Sequence, residues 1–153
     1  TGTDEEAEMS KPFTLLLRVR YGECDAQQVV FNARYGDYID VAATEFYRAL
    51  FGSYQYLLER GLDSQVVRMT TDWSSPARFD DVLVIQVQTL RLGTTSYSLL
   101  VEIIQQAEQR LVARSEVTYV MVDAQTFAKT AIPADLRAQL ERGAPDVLVN
   151  QAG

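Results

Sequence analysis

One carboxylate in the chain stands where chemistry could be done with it. Asp25 lies within Arg20-Tyr21-Gly22-Glu23-Cys24-Asp25-Ala26-Gln27-Gln28-Val29-Val30-Phe31-Asn32-Ala33-Arg34-Tyr35. There a strand-like run ends, an irregular loop follows and a helical period begins. A carboxylate placed a turn or two before a helix sits beside backbone N–H groups that have no partner within the helix. Such donors stabilise the negative charge that develops on a carbonyl oxygen under attack. The chain contains no histidine. A Ser-His-Asp or Cys-His arrangement is therefore excluded within it, and hydrolytic chemistry would have to run on carboxylates, hydroxyls and backbone dipoles.

Each of these residues also has a plainer reading. An Asp ahead of a helix is most often a cap or turn residue. Asn32 can cap the helix through its side chain. Glu23 reads as a surface or network residue. Cys24, with no basic neighbour in sequence, reads as a small buried apolar residue.

The elements that must hold the loop follow from the hydrophobic period. Phe13, Leu15, Leu17 and Val19 alternate with Thr14, Leu16, Arg18 and Arg20, which predicts a half-buried strand. From Ala33 to Phe51 the period becomes helical, with Tyr35, Tyr38, Ala42, Phe46 and Ala49 at three- and four-residue steps. The small Ala42 and Ala43 allow this helix to approach a sheet closely. Ser53 is placed to cap a second, short helix that Gly61 ends. Four strands follow at Gln65–Ser75, Val82–Arg91, Thr95–Gln106 and Leu111–Asp123, joined by short turns. In the first of them Val67, Met69, Thr71 and Trp73 alternate with Val66, Arg68 and Thr70. A last helix is expected from Pro133 to Arg142, with Gly143 as its exit. This is an α+β order: a meander of antiparallel strands and one long, largely apolar helix, around which the five-stranded sheet is expected to curl.

Composition bounds the rest. The chain has 153 residues, 47% hydrophobic and 23% charged, enough for one globular core without staples. Residues 1–11 read as a mobile acidic tail, 12–143 as a single domain and 144–153 as a loose C-terminal tail. The net charge of −7 argues against a general nucleic-acid binder, which needs clustered Lys and Arg. No apolar run reaches the ~18–20 residues of a membrane span, and no signal peptide is expected. A single cysteine cannot form an internal disulfide, which fits the cytoplasm. There is no Cys/His cluster of the kind that holds a metal.

The stretch Glu23 to Tyr35 resembles the signature of hot-dog-fold acyl-CoA thioesterases of the 4-hydroxybenzoyl-CoA thioesterase type. That signature runs from an acidic residue through Asp, Gly, two aliphatics and an aromatic to a final Tyr. Pro76-Ala77-Arg78-Phe79-Asp80-Asp81 resembles the family's turn into the next strand. Two positions depart: Gln28 stands where glycine is usual, and Asn32 where histidine or an aromatic is common. The resemblance implies a hot-dog fold, a long central helix wrapped by the sheet, and hydrolysis of acyl-CoA or of an acyl group on a carrier protein. It implies Asp25 as nucleophile or general base, and a backbone N–H at Asn32 as oxyanion donor. Phe31, Asn32 and Tyr35 are the oxyanion and substrate-binding candidates, and Arg78 is a candidate for a coenzyme A phosphate. No cofactor is implied, coenzyme A being part of the substrate. The implied assembly is a homodimer formed by sheet extension, or a tetramer, with active sites at the subunit interface.

Two other readings stay open. A hot-dog hydratase or dehydratase commonly uses histidine, which this chain lacks. A non-catalytic acyl-thioester binder is kept alive by Gln28: if its position requires positive φ, glutamine costs energy and the loop could be rearranged. Trp73, Phe46, Tyr54 and Tyr56 fit an acyl site or the core equally well.

Overall fold

In the computed structural model, residues 10–153 are described, so most of the expected N-terminal tail lies outside the described residues. Strand β1 (Phe13–Arg18) opens the fold, and two 3-10 turns (Tyr21–Glu23 and Asn32–Arg34) lead to helix α1 (Tyr35–Phe51). A four-residue helix α2 (Tyr56–Glu59) precedes β2 (Leu62–Trp73), β3 (Val82–Leu92), β4 (Ser96–Gln105) and β5 (Arg110–Asp123). Helix α3 (Ala134–Arg142) and strand β6 (Leu148–Gln151) close the chain. No helix among the described residues is long and apolar enough to cross a membrane.

The strands form one sheet in the order β2-β5-β4-β3-β1-β6, antiparallel except for the β1–β6 pair. Two expectations are corrected here. The sheet has six strands rather than five, and it is uncurled; the long helix packs on it, against β1 and β3 along its backbone and against Tyr97 and Tyr119 through Tyr47. The sixth strand comes from the segment expected to be a loose tail: Thr14 pairs with Leu148 and Leu17 with Gln151. The physical reason is that β1 would otherwise leave a row of unpaired N–H and C=O groups at the sheet edge. The Lys11 and Asp146 contacts start the pairing: Asp146 N–H donates to the Lys11 carbonyl at 2.8 Å and Lys11 N–H to Asp146 Oδ1 at 2.8 Å.

Helix α1 buries Tyr35, Tyr38, Ile39, Ala42, Ala43, Phe46, Tyr47 and Leu50, a stripe at three- and four-residue spacing. The expected stripe shifts by one residue at its end: Ala49 faces solvent and the larger Leu50 is buried. Ala42 and Ala43 let the helix approach β1 and β3, and Phe46 meets Phe13 edge-on at 5.6 Å. The helix stops at Gly52, whose φ of 79° is the left-handed conformation that glycine adopts without a Cβ clash.

Because α1 sits over β1 and β3, the edge strand β2 is left largely uncovered. The alternation in β2 predicts a half-buried strand, yet Val66, Val67, Met69 and Trp73 are all exposed. Its register shifts between Val66 and Arg68, leaving Val67 as the extra residue of a bulge. Smaller differences occur at caps. Pro133 precedes α3 rather than opening it. Ser53 accepts the Gln55 N–H at 3.1 Å within a turn, while α2 itself starts after Gln55.

Candidate active site

The site is built where β1 hands the chain to the first 3-10 turn. Glu23 is buried and collects four donors: Arg20 N–H at 2.8 Å, Arg20 Nε at 3.0 Å, Arg20 Nη2 at 2.7 Å and the Tyr38 hydroxyl at 2.9 Å. Burial pushes its carboxyl up, but the Arg20 and Tyr38 donors outweigh burial and hold it below its ordinary value. Tyr38 lies on α1, so this carboxylate pins the turn to the central helix. Glu23 is thus a network residue, in line with its plainer reading.

The loop that follows is a small hairpin. Cys24 bridges Val30, Asp25 N–H donates to the Val29 carbonyl at 2.9 Å, and Gln28 N–H donates to the Asp25 carbonyl at 2.9 Å. This is a turn closed by one left-handed residue, and that residue is Gln28, at φ 66°. Glycine would sit there without penalty, whereas a residue with a Cβ costs about 1–2 kcal/mol. The loop therefore carries backbone strain at glutamine. It is tied to the turn before β3 through Val30 N–H to the Ala77 carbonyl at 2.8 Å and a Val29–Arg78 bridge.

Asp25 is half-buried. Its Oδ1 accepts the Gln27 N–H at 2.8 Å, a turn-forming bond, and its Oδ2 has no hydrogen-bond partner among the described residues. The carboxylate borders a cleft of about 270 Å³ lined by Tyr21, Cys24, Asp25, Gln28 and Phe79. Cys24 is therefore half-buried at a cleft wall rather than fully buried in the core. Burial, then the charges of Glu23 and Asp25, push its thiol above the ordinary value, which keeps it protonated and a poor nucleophile.

At the helix start the three expected binding residues separate. The Phe31 N–H is already used, donating to the Glu23 carbonyl at 2.9 Å, and its ring is exposed. The N–H groups of Asn32 and Ala33 have no hydrogen-bond partner among the described residues. The Asn32 side chain is exposed and makes no capping bond to the 3-10 turn or to α1, which corrects the expectation of a side-chain cap. Tyr35 is buried, its ring edge-on to Tyr38 at 5.8 Å and to Trp73 at 5.9 Å. Arg78 donates its backbone N–H to Asp81 Oδ2 at 2.9 Å and extends an exposed guanidinium with no ion-pair partner among the described residues. Of the other aromatic candidates, Trp73 lies near the helix start. Phe46 is in the core, and Tyr54 and Tyr56 belong to an aromatic cluster with Tyr47 and Phe51 at the far end of α1. Among the described residues, no group of three or more Cys, Asp or Glu side chains is placed to hold a metal ion.

Sequence reading passed over the two rings that wall the cleft. Tyr21 is 80% exposed and Phe79 54% exposed, and they meet edge-on at 5.8 Å. The available signal was their position: large aromatics inside turns, flanked by polar and charged residues.

The chain is similar to known proteins over most of its length. The family model described as the thioesterase-like superfamily matches residues 19–140. An acyl-CoA thioester hydrolase, YbgC, of Escherichia coli is 32% identical over 126 residues, spanning 82% of this chain and 93% of the relative. A long-chain acyl-CoA thioesterase, FadM, also of Escherichia coli, is 29% identical over 126 residues, spanning 82% and 95%. Among solved structures, the probable thioesterase YbaW from Escherichia coli superposes with a TM-score of 0.75 at 28% identity, covering 86% of this chain and 98% of the other.

Proposed function

The chain belongs to the thioesterase-like superfamily, and on that premise we propose that it hydrolyses acyl-coenzyme A thioesters to the free acid and coenzyme A, with Asp25 as its reactive carboxylate. The observation that carries the proposal is an Asp25 Oδ2 at a cleft with no hydrogen-bond partner among the described residues, in the same loop-to-helix segment as Asn32 and Ala33 N–H groups that likewise have none there. The start of α1 carries about half a positive charge. A thioester oxygen resting on these N–H groups is polarised, and the tetrahedral oxyanion is stabilised more than the ground state. Asp25 either attacks the carbonyl carbon or takes a proton from attacking water. The C–S bond then breaks and the thiolate departs without strong acid assistance. Phe31 and Tyr35 contribute to the substrate-facing surface of the helix start, Phe31 from the solvent side and Tyr35 through its packing on Trp73. Arg78 offers a coenzyme A phosphate a guanidinium that has no ion-pair partner among the described residues.

The edge strand supports an assembly. β2 combines an open hydrogen-bonding edge with exposed Val66, Val67, Met69 and Trp73, a surface that invites sheet extension by a second copy. We place the protein as a homodimer or a dimer of dimers, working in the cytoplasm, where its free Cys24 stays reduced. Light scattering tests the assembly: a mass at least twice 17.2 kDa is expected, and a stable, active monomer would contradict it.

Asp25→Asn tests the chemistry. It keeps the turn-forming acceptor but removes the charge, so acyl-CoA turnover should fall by ~10²–10⁴-fold while the fold and coenzyme A binding persist. A turn-forming role alone leaves turnover near that of the unmodified protein, because asparagine makes the same turn.

A further inference from the structure

The C-terminal strand reaches the candidate site through one side chain. β6 lies outside the family match, which ends at residue 140. It pairs with β1, and the chain continues to Ala152, which is buried. The Ala152 carbonyl accepts Arg18 Nε at 2.9 Å. Arg18 Nη1 donates onward to the Asp80 carbonyl at 3.1 Å and lies 3.4 Å from Asp80 Oδ1. Asp80 belongs to the turn that carries Phe79, a wall of the Asp25 cleft, and Arg78, which bridges Val29 of the Asp25 hairpin. Resting on the thioesterase reading above, we propose that Arg18 is a positioning residue for the reaction: it locks the Asp80 turn, and through it Asp25, while β6 holds Arg18 in place as a strap.

The turn needs such a lock. Asp80 stands at φ 71°, a left-handed conformation that disfavours any residue with a Cβ. A strained residue persists only where its surroundings over-determine it. The Asp80 N–H donates to the Val19 carbonyl at 3.1 Å, and the Asp81 N–H to the Arg78 carbonyl at 3.1 Å. Among the described residues, Arg18 is the only hydrogen-bond partner of the Asp80 carbonyl. That carbonyl sets the direction of the peptide leading to Asp81, and Asp81 Oδ2 in turn accepts the Arg78 N–H at 2.9 Å. Gln28, the other left-handed residue beside the cleft, lies across the Val29–Arg78 bridge. Two strained loops thus support each other at Asp25, and a displacement of either is passed to the carboxylate.

Arginine suits the task. Its planar fork donates to two carbonyls at fixed angles, which an ammonium on a flexible stem cannot do. Left to itself, a half-exposed arginine samples many rotamers. The strap removes that freedom, because Ala152 is itself placed. Leu17 pairs with Gln151, the Ala152 N–H donates to Asn150 Oδ1 at 2.9 Å, and Gln151 Nε2 donates to Glu45 Oε1 of α1 at 3.3 Å. The Arg18–Asp80 ion pair is exposed, at 3.4 Å, and contributes little by itself. The two carbonyl bonds carry the geometry.

Hydrogen exchange reads the strap directly. In Arg18→Met, which keeps the aliphatic stem, the amides of Asp80 and Asp81 should exchange about tenfold faster, the worth of one lost hydrogen bond. Amides of β4 and β5 should keep their rates. Arg18→Lys should behave like Arg18→Met, since charge alone does not bridge two carbonyls. Val149→Pro, which interrupts β6, should loosen the same two amides although it lies far from them in sequence. In acyl-CoA turnover, at a temperature where every variant stays folded, kcat should fall about three- to tenfold in each. The double variant Arg18→Met with Val149→Pro should be no slower than the slower single one, because both break one chain of contacts. Unchanged exchange at Asp80 and Asp81 in Arg18→Met overturns the proposal. So do kcat losses that multiply in the double variant, and so does full kcat in Arg18→Lys. A parent protein that hydrolyses no thioester sinks the thioesterase reading, and faster exchange at Asp80 and Asp81 in Arg18→Met then still upholds the strap.

Discussion

The two ends of helix α1 use polar groups in opposite ways. At its C-terminal end the Tyr47 hydroxyl meets that of Tyr97 at 2.6 Å, and Tyr97 meets Ser64 Oγ at 2.5 Å. Tyr97 and Tyr119 stack at 5.1 Å beside them. Burial holds the Tyr47 and Tyr97 hydroxyls well above their ordinary range and pushes Tyr119 up to about 12, so the cluster stays neutral. All three rings are buried. At the N-terminal end a charged carboxylate, Glu23, is likewise satisfied, but its neighbours are not. Among the described residues, Asp25 keeps an oxygen and Asn32 and Ala33 keep N–H groups without hydrogen-bond partners, and Gln28 carries strain. The difference separates holding from acting. A site that acts has to leave donors and acceptors open, and a fully satisfied network beside it has to supply the rigidity.

The largest expected effect cuts across this contrast. Asp25→Asn should cost turnover ~10²–10⁴-fold with little change in thermal stability. If stability falls with activity, the two ends are not functionally distinct in the way described.

Glu23→Gln should come next, as a loss of stability. Removing the charge from a buried carboxylate with four donors should cost about 2–3 kcal/mol by denaturant unfolding. The pH dependence has a definite sign. The folded value of Glu23 lies below its ordinary 4.5. Its contribution is therefore complete above that ordinary value and is lost as pH falls through the folded one. The acid limb of the stability curve should flatten in Glu23→Gln, and an unaltered limb would remove Glu23 from this role.

Tyr97→Phe should cost about 1–2 kcal/mol, because it leaves the Tyr47 and Ser64 hydroxyls without their shared partner. Turnover should be unchanged, and a marked drop would mean that the far end of α1 contributes to the reaction. The smallest effect is expected for Asn32→Ala. With no side-chain cap to lose, stability should stay within about 0.5 kcal/mol and turnover should be largely retained, since only the backbone N–H is invoked. A collapse of turnover in a folded variant would assign the side chain a direct part.

Local pattern carried much of the molecule. The spacing of Tyr35, Tyr38, Ala42 and Phe46 fixes the central helix and its buried side, because side-chain direction along a helix follows from its own period. The meander from β2 to β5 is legible for the same reason. So is a carboxylate followed by a helix start, since residues a few positions apart cannot lie far from one another. Gln28 was legible as a departure, but only the folded hairpin gives its φ of 66° and makes the departure a strained one.

The remainder depends on what lies across from each element. Alternation in β2 orients its side chains but does not say whether a layer will cover them, and α1 covers β1 and β3 instead. The tail at 148–151 carries weak strand signals and becomes β6 because β1 offers it an unpaired edge. Tyr21 and Phe79 lie far apart in the chain, and they meet because the Val29–Arg78 bridge draws two turns together over Asp25. Sequence by itself determined the periods, the helix and the carboxylate ahead of it, all consequences of short-range geometry. Tertiary structure alone decided which surfaces stayed open, because exposure is set by neighbours that the local chain does not contain.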